Sequence, residues 1–426
     1  MTQCTERSEG MPQDGAGMIE RRLGWLDGLR GYAALVVVCF HLGPSVLGPG
    51  PHLAVYRHLD LGKYGVLLFF LVSGYVIPMS LERHGSLRRF WIGRLFRVYP
   101  AYLAAIAVVL ALGAGPASLR DDTVSAALGY ATMLLDPLGL RGAVRVFWTL
   151  SYEMVFYLVV AGLYAWRLHR HSGWWASGLA LAATALGPLL PDGLFASSFA
   201  GRRVTAVVLL LLVGGSVAAY LCGRRTAALV AGAAGIGFVL LPTLNGHPSA
   251  NSTVAASWQG LLLLAVMFAG TVVYRAQHGR LGRWPAATAL GVVAACLVVA
   301  HPAHALWAAN VAAIAGTFAL AFALRHRPIP RVLRFLGTVS YSLYLLHVVV
   351  LMLLGRLVPG VAERPLPVRL AVGVVFLALA LGMAWVSYRM VEMPARRLGR
   401  RIDTRRGATQ RAAARTRRGE NVRTSV

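Results

Sequence analysis

Three ionisable side chains stand inside long apolar runs of this 426-residue sequence: His41, Glu153 and His347. Of sixteen acidic residues and twelve histidines, only these three lie well inside such a run. A charged group at the centre of a membrane helix costs roughly 2.5–3.5 kcal/mol on insertion scales, which makes these residues candidates for chemistry. A histidine beside a carboxylate can take a proton from a hydroxyl while the carboxylate orients the ring and stabilises the imidazolium. The same pair would serve a transporter as a proton relay, and residue types alone leave both uses open. Each of the three could also be satisfied by a neighbouring helix as structural glue, and Tyr341 and Tyr344 are placed to hold His347 that way.

Other polar groups gather around the same runs. Asp27 and Arg30 stand at the start of the first run, Ser73 near the middle of the second, and Arg88, Arg89, Arg94 and Arg97 crowd the segment before the third. Guanidinium clusters bind phosphates through paired, planar hydrogen bonds, although membrane topology alone also collects arginines. The aromatic residues Phe147, Trp148, Tyr152 and Tyr157 could line an acceptor pocket or form an interfacial belt. His301 and His304 have near-ligand spacing but no acidic or cysteine partner, so no metal is expected. Cys4, Cys39, Cys222 and Cys296 show neither metal-ligand nor disulfide spacing.

These groups need a scaffold, and composition says which. The chain is 57% hydrophobic and 14% charged, with a mean hydropathy of +0.62. A soluble globular chain carries about 25% charged residues, so an ordinary soluble enzyme and a disordered chain are both excluded. The expected fold is all-α and integral to the membrane, a polytopic bundle of about ten to twelve transmembrane helices. Apolar runs long enough to cross lie at 31–48, 62–82, 98–115, 147–166, 174–190, 204–222, 226–244, 254–274, 284–300, 305–324, 335–355 and 367–389. A stretch at 124–135 is too short and reads as interfacial. With the N-terminus inside, the inner loops carry sixteen basic residues, and the longer outer loops nine. That is the positive-inside pattern of a multi-pass plasma-membrane protein with both ends cytoplasmic.

The first 23 residues lack the apolar core of a signal peptide, so the first run is expected to be an uncleaved anchor. The net charge of +26 would suggest nucleic acid in a soluble chain. Here it marks the inner face and an arginine-rich end that attracts anionic lipid heads, so membrane lipid is an expected partner and nucleic acid is not. The expected organisation is a cytoplasmic segment (1–24), a transmembrane domain (25–390) and a basic, disordered cytoplasmic tail (391–426), with no internal repeat. At about 1.5 Å per residue, Glu153 lies about 9 Å below the outer surface, His41 in the outer third of its span and His347 just past the midplane. Three separate spans thus place these residues in one layer, and a site shared by His41 and Glu153 is expected.

Six segments, in order, resemble the membrane acyltransferase-3 family, the O-antigen acetylase-like O-acyltransferases. They are LDGLRGYAALVVVCFH (26–41), FFLVSGYVI (69–77), RRFWIGRLFRVYPAY (88–102), FWTLSYEMVFY (147–157), LGTVSYSLYLLH (336–347) and EMPARRL (392–398). The middle of the chain, about 170–330, carries apolar spans without such segments. The resemblance implies transfer of an acyl group from acyl-CoA, acetyl-CoA or longer, to a hydroxyl. The acceptor it implies is a sugar on a cell-surface glycan or a glycosylated natural product. Acyl-CoA would be a co-substrate, and no cofactor would be bound permanently.

By position, His41 would be the catalytic histidine and Arg30 its companion, Arg94 and Arg97 would handle the donor, and Glu153 would be the acidic residue of the fourth span. Asp27, Ser73, Trp148, Ser151, Tyr341 and His347 fall in the same segments and are candidates for the substrate pocket. Two departures stand out: Thr149 occupies a position where serine is common, and twelve spans exceed the family's usual ten or eleven or so. No esterase-like domain follows the spans, which points to the stand-alone branch that includes macrolide and other antibiotic-sugar acyltransferases. The expected activity is therefore an acyl-CoA-dependent O-acyltransferase with His41 as general base. The alternative is a proton-coupled transporter using His41 and Glu153, although no repeat or matched pair of broken helices supports it.

Overall fold

The structure is a computed structural model that describes residues 14–113, 122–246, 254, 256–301 and 304–404, with side chains from residue 24 onward except at 304 and 305. Cys4, Arg120, the side chain of His304 and the tail from 405 to 426 lie outside the described residues. The chain opens with α1 (Asp14–Val46), α2 (Pro49–His58), α3 (Leu61–His84) and α4 (Leu87–Ala111). Next come α5 (Thr123–Thr132), α6 (Trp148–Ala165), α7 (Ser172–Leu186), α8 (Phe199–Cys222), α9 (Arg225–Gly237) and α10 (Leu240–Leu244). It closes with α11 (Ser257–Gln277), α12 (Arg283–Val299), α13 (His304–Ala323), α14 (Arg331–Leu357) and α15 (Leu366–Ser387). The protein is an all-α polytopic membrane fold, as the composition requires.

Ten segments are long and apolar enough to cross a membrane, with α9 and α10 forming one of them. The helices α7 and α12 are shorter, at 15 and 17 residues. Connectivity nevertheless carries both from one face to the other. α7 starts beside Arg170, on the face where Arg275 and Arg280 bind Glu82 and where Arg89 binds Asp403 at 2.6 Å. The loop after α7 meets the opposite end, where Phe195 N–H donates to Asn245 Oδ1 at 2.9 Å and Arg203 reaches Asp122 at 3.1 Å. α12 likewise leaves the arginine-rich face at Arg283, and α13 returns from the far side, where the Lys63 ammonium lies 5.3 Å over the Trp307 ring. With these two the chain passes between its faces twelve times, and a 17-residue helix spans about 26 Å of the bilayer core.

Two glycine contacts set the positions of the functional helices. In α3 and α11, Gly74 and Gly270 face each other so closely that a Cβ on either would strike the opposite backbone, and Thr271 Oγ donates to Gly74 O at 2.8 Å. In α1 and α14, Gly31 and Gly337 pack together, and a Cβ at Gly337 would strike the Asp27 carbonyl. Hydrophobicity cannot drive helix association inside lipid, so close approach of backbones through small residues takes its place. α6 is buried along nearly its whole length, whereas α8 and α15 turn Leu211 and Val374 outward. Apolar side chains on such helices face lipid rather than water.

The end of the chain differs from the expected tail. A π-turn at Tyr388–Glu392 follows α15, and the helix then continues to residue 404 instead of becoming disordered at 391. The cause is local: Glu392 is buried at 1% exposure, accepts a hydrogen bond from Ser342 and pairs with Arg396 at 2.7 Å. A carboxylate held this way ties the segment to α14.

Candidate active site

α1 and α14 both start at the arginine-rich face and run in parallel. From Gly31 to His41 is ten residues, and from Gly337 to His347 is also ten. Two parallel helices touching at the glycines climb together by about 15 Å and bring the histidines level. His347 Nε2 lies 3.4 Å from His41 Nδ1. The remaining hydrogen bonds assign the tautomers. His347 Nδ1–H donates to Leu343 O at 3.1 Å, which leaves its Nε2 as an acceptor. His41 Nδ1–H donates to Val37 O at 2.9 Å and leans toward His347 Nε2. That leaves His41 Nε2 as the unprotonated, basic nitrogen.

A cavity of about 380 Å³ opens at the foot of the same two helices. Asp27, Arg30, Arg97, Ser340, Tyr341 and Arg396 line it. Arg30 stands 3.9 Å from Asp27, and Tyr341 donates to Val98 O at 2.8 Å, fixing its ring in the wall. Arg30 and His41 are eleven residues apart, which returns to within about 20° of the same helix face and rises about 16 Å. The cavity guanidinium and the upper imidazole therefore look along one side of α1.

A continuous wall joins the two levels. The Arg30 guanidinium lies 5.2 Å over the Phe69 ring, Phe69 stacks on Tyr344 at 6.0 Å, and Tyr344 lies 6.0 Å from His347. The Tyr344 hydroxyl shares a 3.0 Å hydrogen bond with Thr149, the residue at the position where serine is common. The hydroxyl group that matters there is kept by threonine.

The arginine pair divides. Arg97 faces the cavity, whereas Arg94 is buried with its guanidinium 5.3 Å from both the Phe90 and Tyr157 rings. The Tyr157 hydroxyl donates to Glu153 Oε1 at 2.5 Å. Glu153 is within electrostatic reach of Arg30, Arg94, Tyr341 and Tyr344. It makes no hydrogen bond or ion pair with His41 among the described residues. The expected His41–Glu153 contact is thus replaced by His41–His347, with Glu153 one level below, balancing the arginines.

The remaining candidates scatter. Ser151 is fully buried and donates to Met133 O at 2.7 Å, which anchors the segment before α6 rather than a substrate. Trp148 packs edge-on against Phe70 and Tyr152, and Ser73 is buried within α3. Among the described residues no cluster of histidine, cysteine, aspartate or glutamate could hold a metal ion, and Cys39, Cys222 and Cys296 are unpaired thiols. Two features escaped the residue-by-residue reading. Arg396 enters the cavity from the segment taken as tail, and its signal was the buried glutamate one turn before it, in EMPARRL. The equal glycine-to-histidine spacing in α1 and α14 was visible in the sequence and pointed directly at the histidine pair.

A family model described as "Acyltransferase domain" matches residues 23–388. The "Acyltransferase MdmB" of Streptomyces mycarofaciens is 32% identical over 175 residues, covering 38% of this chain and 45% of that protein. The "Peptidoglycan O-acetyltransferase OatA" of Listeria monocytogenes is 29% identical over 153 residues, covering 32% of this chain and 23% of that protein. The chain thus aligns with less than half the length of these relatives. No solved structure matches.

Proposed function

This chain belongs to the membrane acyltransferase-3 family, and on that premise we propose that it moves an acyl group from acyl-CoA to a hydroxyl of a sugar or glycosylated natural product. The observation that carries this reading is the histidine pair standing about 16 Å above a three-arginine cavity on one helix face. Acyl-CoA would place its phosphates against Arg30, Arg97 and Arg396, whose forked donors suit phosphate oxygens. Its arm would rise along α1 and α14, past Phe69 and Tyr344, bringing the thioester to the histidines. His41 Nε2 takes the proton of the acceptor hydroxyl as that oxygen attacks the thioester carbonyl, and CoA leaves as the thiolate. His347 accepts from His41 Nδ1–H and so holds the tautomer that exposes Nε2, while Val37 O supports the same proton. Glu153 balances Arg30 and Arg94 beneath the reacting groups.

The arginine-rich face is assigned to the cytoplasm of a plasma-membrane protein, by the excess of basic residues in its loops. The relatives named for acyl and O-acetyl transfer support a hydroxyl acceptor, and the sugar is the commonest hydroxyl-bearing group at a cell surface or on an antibiotic. The test incubates membranes holding the protein with acetyl-CoA and a panel of glycosides, and measures free CoA and acylated product. Product that vanishes in His41→Ala at unchanged protein level supports the reading. Undiminished product in that variant, or glycoside uptake with no product, overturns it.

A further inference from the structure

Most arginines of the basic face already have partners. Arg88 and Arg89 lie 3.7 and 2.6 Å from Asp403, Arg275 and Arg280 bind Glu82, Arg396 binds Glu392, and Arg325 lies over Phe322 and donates to its carbonyl. Three do not. Arg167, Arg170 and Arg225 have no carboxylate within 4.0 Å among the described residues. These three line one pocket of about 580 Å³, apart from the cavity beneath the histidines, together with Leu87, Tyr164 and His169.

The pocket is built by the fold rather than by chance proximity. Gly162 of α6 meets the backbone of Gly232 in α9, which draws the end of α6 against the start of α9. Trp166 Nε1–H donates to Leu229 O at 3.0 Å and locks that junction. Arg167 ends α6 in the left-handed conformation at φ 59°, turning the chain so that Arg170 returns to the same opening. The His169 ring packs on Tyr164 at 5.0 Å and forms the back wall. Like charges brought this close repel each other, and an anion between them relieves the repulsion.

The surroundings say which anion. The pocket lies at the membrane boundary, where the apolar parts of α6 and α9 end. Its neighbours Val230 and Trp174 are 72% and 80% exposed, as side chains in contact with acyl chains and the interface are. We propose that this pocket binds the phosphate headgroup of an anionic phospholipid in the leaflet of the basic face. Basic pockets between spans at this level recognise headgroups, and a lipid brings both the phosphate and the tails that the exposed apolar residues fit.

The test uses the purified full chain in detergent, with lipid binding read by native mass spectrometry and thermal unfolding, so it does not depend on the catalytic reading. Phosphatidylglycerol should bind and raise Tm, whereas phosphatidylcholine should do neither. Replacing all three arginines by glutamine should weaken phosphatidylglycerol binding by on the order of a hundredfold, at roughly fivefold per arginine. If the triple variant does not fold, Arg225→Gln should lose about fivefold and Arg225→Lys very little. Equal binding of the two lipids overturns the proposal, as does unchanged phosphatidylglycerol binding in these glutamine variants. Displacement of phosphatidylglycerol from the wild-type pocket by CoA or adenosine 3′,5′-bisphosphate also overturns it, and would make this a nucleotide site instead.

Discussion

The α1–α14 contact gives the sharpest test, because one methyl group at its foot should be felt at the histidines. In Gly337→Ala the added Cβ would stand 2.6 Å from the carbonyl carbon of Asp27 and 3.0 Å from its Cβ, whereas ordinary Cβ contacts begin near 3.4 Å. The listed neighbours are backbone and Cβ atoms that cannot rotate away, so the helices must separate by about 1 Å, since close-packed interiors transmit such strain. His41 Nδ1 and His347 Nε2 start 3.4 Å apart, at the edge of hydrogen-bond reach, and a shift of that size breaks the contact. A 1 Å misplacement arising far from the chemistry can cost about a hundredfold, and overpacking costs about 1–3 kcal/mol of stability. The assay is CoA release from acetyl-CoA in membranes with an active glycoside, at matched protein level. kcat should fall by about one to two orders of magnitude, while KM for acetyl-CoA changes less. Gly355→Ala, in the same helix but with open space around it, should leave kcat unchanged. His347→Ala should add little in the Gly337→Ala background, because both changes break one contact. Full activity in Gly337→Ala, an equal loss in Gly355→Ala, or additive losses in the double variant would refute the reasoning.

Further expectations can be checked alongside. His347→Ala should lower kcat by about tenfold or less, the worth of one hydrogen bond, because Val37 O still holds the His41 proton. Arg30→Gln, Arg97→Gln and Arg396→Gln should raise KM for acetyl-CoA more than they lower kcat, as a substrate titration would show. Arg94→Lys keeps the charge but loses two ring contacts, so it should cost about 1–2 kcal/mol of stability in a thermal unfolding scan. On the opposite face, burial alone would raise the Asp122 carboxyl, but hydrogen bonds from Ser125 and the Arg203 guanidinium outweigh it and hold the group below its usual 3.8. Its folded pKa is therefore the lower one, so its stabilisation is fully present above pH 3.8 and fades as pH falls through that lowered value. Asp122→Asn should lower Tm at pH 7, and the difference from wild type should shrink only in strong acid.

The family segments were legible because each carries a local physical demand. Gly31 and Gly337 permit a close helix crossing, and the apolar spans are dictated by bilayer thickness. α7 and α12 could be placed from hydropathy even though their lengths fall short of the usual span, since the chain must return to the correct face. Glu153 was correctly singled out as a membrane-embedded acid, but its depth alone suggested contact with His41. Depth fixes height along the bilayer normal and says nothing of direction around a helix. Arg396 was hidden because a basic residue after the last span looks like any other topological arginine until its glutamate is seen to be buried.

By itself the sequence determined the class of fold, the basic face, the family segments and the small set of membrane-embedded polar groups. Those follow from one-dimensional quantities: hydropathy over about 20 residues, charge per loop and spacing along a helix. Only the tertiary structure decided that His41 pairs with His347 and not Glu153, that Arg97 and Arg396 face the cavity while Arg94 is clamped between rings, and that three unpaired arginines share a second pocket. The physical reason is that side-chain partners are set by which helix faces meet and in what register, and in a lipid environment close packing of small residues sets both.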